Sequence, residues 1–323
     1  MKNDNNNWQL DVKNILSSPQ SDLLSLLKVV DAKPSSLARN TLHYSHLIFK
    51  DSPEGEIHSL ISCANYLANN NARIDAVKLL EKALIIEKEA NGTNHHNYAL
   101  RLINLAHLHR SMGKYNLAEP LYKQAIEIAK QTLGENHPDY AIGLNNLANL
   151  YRATGKYDLA EPLYKQATRI TKQTLGENHP AYATRLNNLA LLYNSTDKYD
   201  LAEPLYKQAI EIDKQTIGES HPDHAIRLNN LAGLYEATGK YDLAEPLYKQ
   251  AIEIDKQTLG ENHPAYATRL NNLAALYKTT GKYDLAEPLY KQAIGILDAT
   301  HGPDNPDTKI VKANYKAFLK SRP

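Results

Sequence analysis

Four histidines precede prolines at a fixed interval, His137, His179, His221 and His263 being 42 residues apart. Imidazole is a common metal ligand, so such a column invites a metal-binding reading. Geometry opposes it. If each interval is one packed helical unit, equivalent side chains lie on the order of 10 Å apart. One zinc holds its nitrogens at about 2 Å. Capping of turns suits the His-Pro pairs better, and the neighbours His95 and His96 supply too few ligands for a metal site. The sequence contains no glycine-rich phosphate loop, no His-Glu-x-x-His and no Gly-x-Ser-x-Gly. Cys63 is the only cysteine, which rules out an internal disulfide and favours a reducing compartment. The expectation is a non-catalytic protein with no metal and no cofactor.

Asparagines repeat with the same step. Asn145, Asn187, Asn229 and Asn271 each open the phrase Asn-Asn-Leu-Ala. Their successors Asn146, Asn188, Asn230 and Asn272, with Asn104 one step earlier, form a second column. A side-chain amide offers two donors and an acceptor, so it can bond a peptide group of any sequence. It can equally bond a neighbouring helix, and the elements that carry it decide between the two.

Those elements follow from the repeat. The phrase Lys-Tyr-Asp-Leu-Ala-Glu-Pro-Leu-Tyr-Lys-Gln-Ala begins at Lys156, Lys198, Lys240 and Lys282, with a variant at Lys114, again stepping by 42. Leu144, Leu147, Ala148 and Tyr151 lie at i, i+3, i+4 and i+7, one face of a helix A near Pro138–Thr154. Ala160, Tyr164, Ala167 and Thr168 define a helix B near Lys156–Leu175, closed by Gly176 as a left-handed cap. Pro138 fits the first helical position, and Asp139 complements the helix dipole. Pro162 falls within helix B, two residues from both Ala160 and Tyr164, so it should point outward and leave the helix bent but intact. Asp197 occupies the glycine position of one A-to-B turn, where a left-handed backbone disfavours it. Tyr151, Tyr157 and Tyr164 recur as packing residues, which argues against base stacking and a nucleic-acid partner.

Leu147, Ala148, Tyr151, Ala160 and Tyr164 sit where the tetratricopeptide signature places Leu, Gly, Tyr, Ala and Phe. The chain therefore resembles tetratricopeptide repeat (TPR) proteins. Its 42-residue unit is similar to that of kinesin light chains and their bacterial look-alikes, over roughly Glu56–Lys320. The resemblance implies an all-α fold, an α-solenoid wound as a right-handed superhelix of about six hairpins. Expected boundaries are an N-terminal helical and capping segment with a disordered start at 1–55, repeats at 56–305 and a capping helix at 306–323. The apolar clusters Leu23–Leu27 and Leu42–Phe49 belong to the first of these.

In TPR domains helix A lines the concave surface, and the second asparagine matches a position that grips a ligand's backbone. The resemblance thus implies peptide binding by Asn104, Asn146, Asn188, Asn230 and Asn272. The first column, Asn145, Asn187, Asn229 and Asn271, is a weaker candidate, and the rival reading is that both columns tie neighbouring helices A together. Selectivity is expected where near-identical units differ, in the columns His107, Asn149, Leu191, Gly233, Ala275 and Arg110, Arg152, Asn194, Glu236, Lys278. Arg101, Gly143, Arg185, Arg227 and Arg269 form a third, flanking column. In helices A of repeats 2 to 6, seven basic residues (101, 110, 152, 185, 227, 269, 278) face three acidic ones (139, 223, 236). That surplus of four points to an acidic partner segment, unless the arginines pair with acids of helix B. The chain as a whole carries 37 basic and 36 acidic residues, which gives no general pull toward nucleic acid or membrane. No stretch reaches the roughly 18 apolar residues of a spanning helix. The expectation is a cytoplasmic protein-interaction adaptor whose groove holds a peptide or protein segment, with a self-associating scaffold as the alternative.

Overall fold

A computed structural model describes residues 34–49, 51–69 and 72–321. The expectations for the first 33 residues lie outside the described residues. Among those described there are fourteen helices and no strand. They are α1 (Pro34–Phe49), α2 (Pro53–Asn69), α3 (Arg73–Asn91), α4 (His96–Ser111), α5 (Tyr115–Leu133), α6 (Pro138–Ala153) and α7 (Tyr157–Leu175). There follow α8 (Pro180–Ser195), α9 (Tyr199–Thr216), α10 (Pro222–Ala237), α11 (Tyr241–Thr258), α12 (Pro264–Thr279), α13 (Tyr283–His301) and α14 (Pro306–Ser321). From α2 to α13, even-numbered helices are of type A and odd-numbered ones of type B. The fold is an all-α solenoid of repeated hairpins, divided into two compact units, Met1–Thr154 and Gly155–Pro323.

Four helices A, α6, α8, α10 and α12, begin with the same device. His137, His179, His221 and His263 are N-caps whose Nδ1 accepts the backbone N–H two residues on, at 3.1, 3.0, 3.1 and 3.1 Å. Proline takes the next position, where its missing N–H costs nothing. Asn305 caps α14 by the same geometry, at 2.9 Å to Asp307. Helices B run unbroken through Pro120, Pro162, Pro204, Pro246 and Pro288. Pro162 is exposed, so the carbonyl it leaves unpaired lies near water. Gly176 differs from the left-handed cap expected of it: φ is 90° but ψ is 167°, an extended region that only glycine enters readily.

The A-to-B turns require positive φ, 72° at Gly155 and 73° at Gly239. Asp197 adopts φ 56° in the equivalent turn, where its Oδ1 accepts a hydrogen bond from the Tyr199 hydroxyl at 2.6 Å. Asp197→Gly should raise the urea midpoint by an amount equivalent to about 0.5–1 kcal/mol, the relief of the left-handed conformation being partly offset by the lost hydrogen bond.

In the first unit α1 packs on α2 and α3, α3 on α4, and α5 on α6. In the second, α7 packs on α8, and three hairpins, α8–α9, α10–α11 and α12–α13, are followed by α14. Alanines at the small positions are fully buried: Ala148, Ala160, Ala190 and Ala202 are all at 0 % exposure. Tyr164, Tyr206, Tyr248 and Tyr290 are buried among them. Cys63 is likewise core. Thr168 is only half-buried, its hydroxyl donating to the Tyr164 carbonyl at 2.7 Å. The buried face of α7 continues instead through Ile170 and Thr171. On α14, Phe318 is buried against the rings of Tyr283, Tyr290 and Tyr315, while Lys316 is exposed and Lys312 reaches Asp298 at 2.7 Å.

Candidate functional site

A helix A packed against helices B and against the next helix A keeps solvent access along one narrow strip. On α6 that strip is Ile142, Asn146, Asn149 and Ala153; on α8 it is Thr184, Asn188, Leu191 and Ser195. On α10 it is Ile226, Asn230, Gly233 and Ala237, and on α12 it is Thr268, Asn272, Ala275 and Thr279. The second-asparagine column and the first variable column therefore lie on the accessible face of their helices, as does Asn104 on α4. Arg152, Asn194 and Lys278 flank the strip, half-buried. Between α2 and α4 it opens into a cleft of 460 Å³ lined by Asn65, Asn69, Arg73, Asn104, His107 and Ser111 together with apolar side chains.

Asn145, Asn187, Asn229 and Asn271 are buried, at 3 to 8 % exposure. In the second unit they act as acceptors. Asn230 Nδ2 donates to Asn187 Oδ1 at 2.9 Å, Asn272 to Asn229 at 2.9 Å and Asn314 to Asn271 at 3.0 Å. Each second asparagine thus holds the first asparagine of the preceding helix A through one amide hydrogen. Of the two readings of the columns, the structure directly exhibits the helix-to-helix tie. Asn314, one 42-residue step beyond Asn272, extends this ladder into α14, a member that the step itself could have revealed.

Arg185, Arg227 and Arg269 lie off the strip and are buried, at 9, 3 and 8 % exposure. Arg227 pairs with Asp213 of the preceding helix B at 3.2 Å and also donates to the Asp223 carbonyl and the Thr184 hydroxyl. Arg269 pairs with Asp255 at 3.3 Å, and Arg101 with Glu87 at 3.3 Å. The groove charge expected above shrinks accordingly, because Arg101, Arg227 and Arg269 are each matched by an acid of helix B. Arg110, Arg152, Arg185 and Lys278 then stand against Asp139, Asp223 and Glu236, a surplus of one instead of four.

The pairing follows a rule of 14 residues. Where the arginine becomes Gly143, the acid position is Ala129, so both members are absent together, and a Cβ on Gly143 would come within 2.8 Å of the Ile126 side chain, which would have to shift. Arg185 breaks the rule, for Thr171 stands at its acid position. No acid of the described residues pairs with Arg185, and burial alone pulls the guanidinium pKa down to about 10.

Burial pushes the Asp213 carboxyl up to about 6 despite the attraction of Arg227. A folded pKa above the unfolded value near 3.8 means that this group favours folding fully below pH 3.8 and loses that contribution as pH rises toward 6. Stability measured from pH 4 to 6 should therefore fall less steeply for Asp213→Asn than for the wild type.

A second constant link joins successive hairpins. The Tyr193 hydroxyl donates to Glu161 at 3.4 Å, Lys198 bonds the other oxygen of Glu161 at 3.0 Å, and its ammonium lies 5.7 Å from the Tyr193 ring centroid. Tyr235, Glu203 and Lys240 repeat the arrangement, as do Tyr277, Glu245 and Lys282. Helical periodicity marks these tyrosines as core but gives no sign of their acidic partners. Among the described residues no group of three or more histidine, cysteine or acidic side chains could hold a metal, and no helix is long and apolar enough to cross a membrane.

A family model described as tetratricopeptide repeat matches residues 66–131, 101–173, 139–215 and 223–299. A search of curated proteins finds no match. Among solved structures, BtubC (BKLC) from P. vanneervenii is similar with a TM-score of 0.55 and 26 % identity, over 72 % of this chain and 91 % of that one. A kinesin light chain-type protein of Podosopora anserina with nearly identical TPR-like repeats is similar as a single-substitution variant, with a TM-score of 0.53 and 28 % identity, over 64 % of this chain and 98 % of that one. A second crystal structure of that protein gives a TM-score of 0.52 at the same identity and coverage.

Proposed function

The chain belongs to the tetratricopeptide repeat family, and from that premise we propose that it is a non-catalytic adaptor whose helix A strips hold an extended segment of a protein partner. The observation that carries this reading is the composition of the strip: a constant amide, Asn146, Asn188, Asn230 and Asn272, beside a position that changes in every unit, Asn149, Leu191, Gly233 and Ala275. Near-identical units require identity for packing, so variation at these accessible positions fits selectivity toward side chains. The constant amides fit contact with a ligand's backbone, because only one hydrogen of each Nδ2 group is engaged where Asn230 and Asn272 hold the ladder. The buried, paired arginines remove the main reason to expect a strongly acidic partner.

The test uses the full chain and a random-peptide display library. Selected peptides are measured against the wild type, against Asn146→Ala with Asn188→Ala and Asn230→Ala, and against Leu191→Arg, with the melting temperature of each recorded and binding compared well below it. Loss of the ladder bond from Asn230 costs about 1 kcal/mol of stability, whereas Leu191→Arg leaves every ladder bond in place. Weakened binding under those conditions supports the strip as the ligand site. Binding unchanged in both variants leaves the asparagines a structural role alone.

One observation favours self-association as a second reading. Leu201, Leu243 and Leu285, equivalent residues near the starts of helices B, are each 51 to 52 % exposed. Sedimentation of the wild type against Leu201→Glu with Leu243→Glu decides it: a mass that falls only in the variant places copies of the chain on that ridge.

A further inference from the structure

We propose that Gly233 and Glu236 form a subsite for a lysine or arginine side chain of the segment held by the strip of α10; the inference rests on the adaptor reading above. In the column His107, Asn149, Leu191, Gly233 and Ala275, the fifth repeat alone has no side chain. A Cβ built on Gly233 meets one atom within 4 Å, the Tyr248 hydroxyl at 3.5 Å, so the position opens onto free space with a polar floor. One helical turn further on, Glu236 occupies a column that elsewhere reads Arg110, Arg152, Asn194 and Lys278. This is the only acid of that column, and it flanks the only gap in the other.

The floor is organised around this carboxylate. Glu236 Oε2 accepts a hydrogen bond from the Tyr248 hydroxyl at 2.9 Å, and no cation of the described residues pairs with it. The contrast with the other inter-helical acids is sharp: Glu161, Glu203 and Glu245 each bind two lysines. Glu236 is half-buried, and burial raises its pKa, the mark of a charge lacking compensation. Its field extends to Tyr290 of α13, whose hydroxyl pKa it raises further above the effect of burial. A lysine or arginine arm entering over Gly233 supplies what is missing, an ammonium or guanidinium at hydrogen-bonding distance from a partly desolvated carboxylate. A neutral arm of the same length would fill the gap and leave the charge unmatched.

Peptides selected from a random display library on the wild-type full chain are expected to carry lysine or arginine at one fixed position. Such a peptide should bind Glu236→Gln at least about tenfold more weakly than the wild type, within the range of buried interfacial charge pairs. The same peptide with norleucine in place of the lysine should lose the preference for the wild type and bind Glu236→Gln at least as tightly. Gly233→Leu, which copies Leu191 and has room for its Cβ, should exclude the lysine peptide; if that variant fails to fold, the isosteric Glu236→Gln decides alone. The subsite is overturned if selected peptides show no fixed cation, or if Glu236→Gln binds the lysine peptide as tightly as the wild type; in either case the strip survives as a peptide site. A wild-type chain that selects no peptides overturns both readings.

Discussion

Arg227→Met is expected to lower the free energy of unfolding by about 3–5 kcal/mol, while Arg185→Met leaves it unchanged or raises it. The two arginines occupy equivalent positions and are both buried, so hydrophobic replacement removes comparable surface from each. Their partners differ. Removing Arg227 leaves Asp213, itself at 0 % exposure, as a buried charge without its partner. Removing Arg185 abandons no acid, because Thr171 stands where Asp213 stands one repeat later. The double variant Asp213→Leu with Arg227→Met should return to near wild-type stability, since the desolvation of two charges is then avoided altogether. Thr171→Asp should stabilise the wild type by giving Arg185 its missing partner. Urea unfolding of all four variants checks the set; equal losses at Arg185 and Arg227 would show that burial of the arginine stem, not the ion pair, sets the cost.

Tyr193→Ala should cost about 3–5 kcal/mol by the same measurement, the penalty of truncating a buried aromatic ring. Tyr193 is 6 % exposed and spans from α8 to Glu161 of α7. The ring supplies most of the effect. Tyr193→Phe, which removes only the hydroxyl, should cost about 1 kcal/mol or less, because Glu161 keeps Lys165 and Lys198. Ala190→Leu tests the opposite fault. Ala190 is fully buried, and a larger side chain there should overpack the junction at a cost of about 1–3 kcal/mol. A Tyr193→Ala variant as stable as Tyr193→Phe would contradict the packing described for α8.

The hairpins are legible in the sequence because every unit repeats the same helical period, stop and start. His137 before Pro138 announces a helix beginning, and Leu144 to Tyr151 mark a buried face. Partners are harder to read. A 3.6-residue period says which side of a helix is covered, not which neighbour covers it, so Arg227 can be placed beside a groove when it turns to Asp213. The information is nonetheless present as a 14-residue spacing between acid and arginine, kept at Glu87–Arg101, Asp213–Arg227 and Asp255–Arg269 and vacated together at Ala129–Gly143. Glu161 and Tyr193, 32 residues apart, show no such local signal, since their meeting depends on how one hairpin seats on the next. The asparagine columns stand out by their spacing, but whether an amide faces a ligand or a helix is fixed by a few ångströms of packing.

The amide ladder also bears on how such a chain changes length. Its bonds join residues 43 apart, and both partners are always asparagine. Excising residues 188–229, one 42-residue block, would bring Asn272 43 positions after Asn187, the separation that now joins it to Asn229. The Asp255–Arg269 pair lies wholly outside the excised block and would persist. Unequal recombination between near-identical coding repeats can therefore add or delete whole blocks without any interface having to be reinvented. The number of repeats becomes a heritable variable, set by the history of the gene and not by the demands of its core.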